Sequence, residues 1–342
     1  MTVKYNVYVL AQIFKISYIL SMIIYTDDKK FAESLFSPDL NWTVASVQNS
    51  NDSLNHLISE IYCDREYYKY CFDPLSNPFG INKDNRSIWQ YLFLVKHASR
   101  SHYDILTDLC QKNADLPDGI LCMADSGDKF HGFKNRAWVS TGGNIHLVAY
   151  LKPNRVIRHG VGFMVLSAVS AIQAIESVKG LNSQVGLKWV NDILIEGAKV
   201  GGVLAYSQSE GDIITGAVLG LGMNVETCPK VEPNIFVPKA ACLRDFAKDS
   251  RQITRQAVWQ KLVQKITHNY QLLCGNKYSI LLDFYCSKSI VIGKRVEIHP
   301  DSLDAKTDEI VTGVVEQIGD SLELYLKNKK DSINKGRLVI ID

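Results

Sequence analysis

From Trp89 onward the chain alternates apolar and polar blocks at the spacings of strands and helices. The run "WQYLFLVKHASRSHYDILTDLCQK" (89–112) predicts a strand, a polar turn and a helix, with Ser99 or Ser101 able to cap the helix through its side-chain oxygen. "LPDGILCMADSG" (116–127) predicts a turn entering a strand, and "NIHLVAYLKP" (144–153) predicts another. In 161–178 apolar residues fall at 161, 164, 165, 168, 169, 172 and 175, a helix buried on a wide face that Gly180 stops. "LKWVNDILI" (187–195), "VGGVLAYSQ" (200–208) and "IITGAVLGLGMNV" (213–225) predict three strands of a meander. Residues 252–285 predict helix, and alternating runs beyond 289 predict a small all-β barrel of about 50 residues.

The first 88 residues are harder to place. Residues 5–25 are apolar, but Lys15 interrupts them and no small-residue cleavage site follows, so they read as a buried strand and helix in preference to a membrane span. Residues 26–88 contain polar tracts ("SVQNSNDSLNH") and an aromatic cluster ("CDREYYKYCFDP") with no legible chemistry. The expected organisation is an N-terminal extension of unknown role over 1–88, an α+β domain over 89–286 and a β domain over 287–342.

Composition narrows the function. The 342 residues are 46% hydrophobic and 22% charged, the balance of a globular protein, with a formal net charge of +2. That charge implies neither a nucleic-acid partner nor firm membrane association. Eight cysteines occur without a CxxC pair or Cys/His ladder, which argues against zinc and for reduced thiols in the cytoplasm.

Candidate chemistry concentrates in "KWVNDILIEGAKVGGVL" (188–204). Lys188, Asn191, Asp192 and Lys199 lie in one predicted hairpin, beside the paired glycines Gly201 and Gly202. Lysine can neutralise a phosphate or carboxylate, a carboxylate can hold Mg²⁺, and glycine lets a ligand approach the backbone. A solvated surface hairpin accounts for the same residues without any ligand.

This segment resembles the KWPNDI…K(I/L)xG(V/I)L signature of biotin protein ligases, and "GLGMNV" (220–225) is similar to that family's GxGINV strand. The resemblance extends over residues 90–285 and the C-terminal β module. It implies a biotin/lipoate ligase-like catalytic domain, a mixed sheet with flanking helices, followed by an SH3-like barrel. It also implies the activity: ATP and biotin form biotinyl-5′-AMP with Mg²⁺, and biotin passes to a lysine of a carboxylase carrier domain. By resemblance Lys199 and Asp192 are catalytic, and Asp192 also binds metal. Ser99 (with Ser101 as second choice), Gly127, Lys199 and Gly201 contact biotin. Lys134, Arg136, Trp138, Asn144, Lys188, Asn191 and Asn224 contact ATP or the adenylate. The absence of a helix–turn–helix pattern in 1–88 resembles the monofunctional ligases.

Two departures stand out. Val190 replaces the signature proline, and "DSGDKFHGFKNRAWVSTGGN" (125–144) stands where the family has a loop rich in glycine and arginine. Aligned on Trp138, Phe133 takes the place of an arginine that clamps the adenylate, and Lys134 or Arg136 is the available substitute. A weakened homologue that only binds biotin or carrier domains, and a ligase for another acyl group such as lipoate, are the alternatives. His131 and His146 read as structural or solvated histidines.

Overall fold

The computed structural model describes residues 22–36, 42–44, 52–63, 65–72, 79, 88–181, 183–300 and 310–341. The apolar run 5–25 therefore lies outside the described residues up to position 21. In chain order come β1 (Ile23–Thr26), α1 (Lys29–Glu33), β2 (Trp42–Val44), α2 (Asp52–Tyr62), β3 (Tyr68–Phe72), β4 (Tyr91–Ala98) and α3 (His102–Gln111). Next are β5 (Ile120–Gly127), β6 (Ile145–Leu151), β7 (Arg155–Val156) and α4 (Gly162–Glu176). Then follow β8 (Val185–Lys188), β9 (Asp192–Ile195), β10 (Ala198–Glu210), β11 (Ile213–Met223), α5 (Arg255–Cys274) and α6 (Tyr278–Ser287). The chain ends in β12 (Arg295–His299), β13 (Val311–Ile318), β14 (Leu324–Leu326) and β15 (Arg337–Ile340).

Strands β1 to β11 form one mixed sheet in the order β2-β3-β1-β4-β5-β6-β11-β10-β9-β8, with β7 beside β11. β4 runs parallel to β1 and β5, and the other pairs are antiparallel. The run 187–195, expected as one strand, is two: it breaks at Trp189–Asn191, and β8 turns back onto β9. The stretch expected as helix over 252–285 likewise divides, because Gly275 and Asn276 (φ 59°) end α5 before α6 begins. The strands of residues 23–72 continue the main sheet through β1.

Both faces of the sheet are covered, which is why β4 reads as a continuous apolar run. Leu92 and Leu94 join one core with Leu121, Met123, Leu147 and the buried helix α4, while Phe93 and Val95 join the other with Cys122, Val148 and α3. α4 is buried almost all round because it lies between the sheet and α5 with α6. β12 to β15 form a separate four-stranded antiparallel sheet. It is tied to the main domain where the Trp189 indole donates to the Leu322 carbonyl (2.7 Å) and the Tyr278 hydroxyl donates to that of Asp320 (2.7 Å).

Among the described residues, no helix is long and apolar enough to cross a membrane.

Candidate active site

A cavity of ≈300 Å³ opens on the α3 face of the sheet. Its floor exists because β11 carries glycine at alternate positions: a Cβ on Gly220 would sit 2.9 Å from the Tyr103 ring, and one on Gly222 would sit 2.7 Å from the Trp138 indole. Trp138 descends from the β5–β6 connection, whose ends are joined by the Trp138 N–H to Phe130 carbonyl bond (2.9 Å) and the Gly132 N–H to Arg136 carbonyl bond (2.7 Å). Phe133 lines this cavity and a neighbouring one of ≈370 Å³, whereas Lys134 lines only the second.

The opposite wall is the turn between β8 and β9. Asn191 pins it to β10: its side-chain amide donates to the Val203 carbonyl (2.8 Å), and the Val203 N–H donates to the Asn191 carbonyl (3.1 Å). Asp192 then meets Lys199 at 2.6 Å, with both side chains about one-fifth exposed (18% and 22%). The Lys199 ammonium also lies 5.8 Å from the centre of the Trp138 ring. An irregularity in the β9–β10 register between Lys199 and Gly201 shifts the alternation, so Gly202 faces Lys199: a Cβ there would lie 3.7 Å from Nζ.

Lys188 is 8% exposed and donates to the Phe236 carbonyl (2.7 Å). Burial holds its pKa below the usual lysine range; Asp192 opposes this, whereas Lys199, Arg337 and Arg136 repel the ammonium. Lys199, Arg337 and Arg136 thus all act on Lys188, and the three of them line the cavity itself together with Asp192. A cavity lined by three cationic side chains suits a ligand that brings several negative charges.

The expected contacts divide. Lys199, Asp192, Asn191, Trp138 and Arg136 meet at the cavity, with Lys188 behind them. Of the two serines, Ser99 is exposed beside Cys63 (3.6 Å), whereas Ser101 is 5% exposed and lines the cavity. Ser101 is also the N-cap of α3, yet its hydroxyl makes no capping bond. Gly202 lines the cavity, whereas a Cβ on Gly201 would lie 2.9 Å from the Gly222 carbonyl, inside the sheet. Gly127 packs under Phe130 and the Ala98 carbonyl instead of lining the cavity. Asn144 is fully buried and committed: its amide donates to Thr141 Oγ1 and the Thr227 carbonyl, and its oxygen accepts from the N–H groups of Val225 and Thr227. Asn224 donates to the Ala241 carbonyl (3.0 Å), leaving a buried side-chain oxygen without a donor. Gly220, Gly222, Tyr103 and Arg337 went unread in the sequence. The G-x-G spacing of β11 signals the first two; nothing local signals the others.

Residues 112–224 match the sequence model of the Biotin/lipoate A/B protein ligase family. Over that span the chain is similar to that family. The matched span runs from the end of α3 through β11 and holds Trp138, the Lys188–Asp192 turn and Lys199. Among relatives of this family, the Bifunctional ligase/repressor BirA of Bacillus subtilis is 32% identical over 166 residues, 48% of this chain and 47% of that protein. The chain thus spans about half the length of that relative. The Biotin--[acetyl-CoA-carboxylase] ligase of Mycobacterium tuberculosis is 28% identical over 251 residues, 70% of this chain and 84% of that protein. The biotin protein ligase from Aquifex aeolicus, solved in complex with biotin and ATP, superposes with a TM-score of 0.55 over 73% of this chain and 98% of its own, at 20% identity. That likeness supports the mixed sheet with flanking helices.

Proposed function

We propose that the chain is a biotin–protein ligase. In the first step a biotin carboxylate oxygen bonds to the α-phosphorus of ATP and pyrophosphate leaves. In the second, a lysine amine of a carboxylase carrier domain attacks the biotinyl carbonyl, an amide forms and AMP leaves. The observation that carries this reading is the cationic cluster around Asp192: Lys199, Arg136 and Arg337 at the cavity and Lys188 behind it. A carboxylate and a triphosphate repel one another, and they meet only where fixed positive charge offsets the repulsion.

Lys199 is the group proposed to bridge the biotin carboxylate and the α-phosphate, with Asp192 orienting it. Ser101 and the Gly220–Gly222 floor are proposed to receive the biotin bicycle, and Trp138 and Asn191 the nucleotide. The donor set fits Mg²⁺. Asp192 is the carboxylate that lines the cavity, and this metal is commonly held by one or two carboxylates together with substrate phosphates. Bound there, it would neutralise phosphate charge.

Residues 89–286 are taken as the catalytic unit and the β12–β15 sheet as an SH3-like cap that contributes Arg337. The cytoplasm is the proposed location, and the eight free cysteines fit a reducing compartment.

The test is biotin-dependent exchange of pyrophosphate into ATP by the purified chain with Mg²⁺, followed by labelling of a biotin carrier domain. Both are expected. Phe133 favours one second reading, a homologue that binds without turnover, because a phenyl ring cannot clamp a phosphate as a guanidinium does. Tight biotin binding with neither exchange nor labelling would establish that reading instead.

A further inference from the structure

We propose that His146 is a positioning residue for adenylate formation, acting through Trp138 to fix the face against which Lys199 is held. The inference rests on the ligase reading above, and it concerns a side chain in the wall of the same cavity.

The indole N–H of Trp138 is a donor only, and it lies 3.3 Å from Nδ1 of His146. Nδ1 must therefore be the bare, accepting nitrogen. The ring proton then sits on Nε2, which lies 3.2 Å from the Thr141 carbonyl and donates to it. Two fixed partners thus select one neutral tautomer. Phe130 closes the site edge-on, with ring centres 5.7 Å apart and planes at 88°.

His146 pairs with Gly222 across the β6–β11 ladder, and the Trp138 indole lies over that glycine. The ring is thus held from below by bare backbone and at its nitrogen by His146. Its face is what the Lys199 ammonium meets at 5.8 Å, while Asp192 holds the same ammonium at 2.6 Å. Asp192 alone would draw Lys199 toward the β9 edge. The indole gives it a second attraction toward the interior, where the two anions must approach. The burial that pulls the His146 pKa down to about 4 keeps Nδ1 an acceptor at neutral pH.

A structural histidine would need only its volume, so the experiment separates volume from acceptor. His146→Phe keeps an aromatic ring but offers no acceptor, while His146→Asn offers a side-chain oxygen near the Nδ1 position. With protein carrying 5-fluorotryptophan, Trp138 is identified as the ¹⁹F resonance lost in Trp138→Phe; the other four tryptophans report on the fold. His146→Phe is expected to shift and broaden the Trp138 resonance and lower the kcat of pyrophosphate exchange about tenfold, a typical loss for one buried hydrogen bond. KM for biotin is expected to change less than kcat. His146→Asn is expected to recover kcat to within about threefold and to sharpen the resonance.

Unchanged exchange and an unshifted resonance in His146→Phe overturn the proposal. So does a His146→Asn variant as impaired as His146→Phe. If His146→Phe fails to fold, His146→Leu, which likewise offers no acceptor, takes its place with the same kinetic and ¹⁹F expectation. Wild-type protein without exchange would overturn the ligase reading together with the kinetic claim, whereas exchange indifferent to His146 overturns this proposal alone.

Discussion

Replacing Lys199 by alanine removes a cation that touches Asp192 and the Trp138 face together. Two consequences of different size follow. The pair is about one-fifth exposed, so its loss should cost the fold only about 1 kcal/mol, and in a domain of this size that lowers Tm by roughly 2–4 °C. Adenylate formation should suffer far more. A positively charged or hydrogen-bonding group aimed at developing negative charge is typically worth 10²–10³-fold in rate, or about 2.7–4 kcal/mol. Lys199→Ala is therefore expected to lose at least about a hundredfold in pyrophosphate exchange while melting close to wild type. Lys199→Arg should rescue poorly. Lys199 packs where Gly202 lacks a Cβ, and a planar fork against Asp192 directs its donors differently from a compact ammonium. Exchange rates with saturating ATP, Mg²⁺ and biotin, alongside melting curves, decide the matter. Exchange within threefold of wild type in Lys199→Ala would mean that the ammonium is only a solvated strand charge, and the assignment of the site would fall.

Three further outcomes follow from the same geometry. Ser101 caps α3 without using its hydroxyl, so Ser101→Ala should leave stability within about 0.5 kcal/mol and raise the Kd for biotin about tenfold, with Ser99→Ala unaffected in calorimetric titrations. Arg136 lines the cavity and is steadied by its Nε bond to the Phe133 carbonyl (2.7 Å), so Arg136→Ala should increase escape of the adenylate severalfold; labelling of a bystander protein measures it. Burial lowers the pKa of both His102 and His146 to about 4, below the ordinary 6.5. Between those values the unfolded chain binds a proton at each and the folded chain does not, so stability should fall as pH drops from 6.5 toward 4. Among the described residues both ring nitrogens of His102 lack partners, and His102→Leu should flatten that slope by up to one proton in urea titrations at pH 7.0, 5.5 and 4.5.

Much of this protein is legible in one dimension. Strand and helix periods along 89–178 mark elements whose apolar faces have nowhere to go but a shared core, and β4, α3, β5, β6 and α4 lie where those periods put them. The grouping of Lys188, Asn191, Asp192 and Lys199 is also local, because a tight turn and one strand hold them within twelve residues. Other features depend on distant parts of the chain. A sequence does not reveal the register irregularity that turns Gly202 instead of Gly201 toward Lys199, because strict alternation puts 199 and 201 on one face. Nor does it reveal that β4 stops at Ala98, leaving Ser99 outside and Ser101 within. Arg337 reaches the cavity from β15, well over a hundred residues from Lys199, and no spacing rule connects them. His146 alternates along β6 like any strand residue; only the packing of Trp138 onto Gly222 gives its bare nitrogen a donor. Local periodicity decides which residues become helix or strand, whereas the neighbours of a side chain across the sheet are set by register and packing, which exist only once the chain has folded.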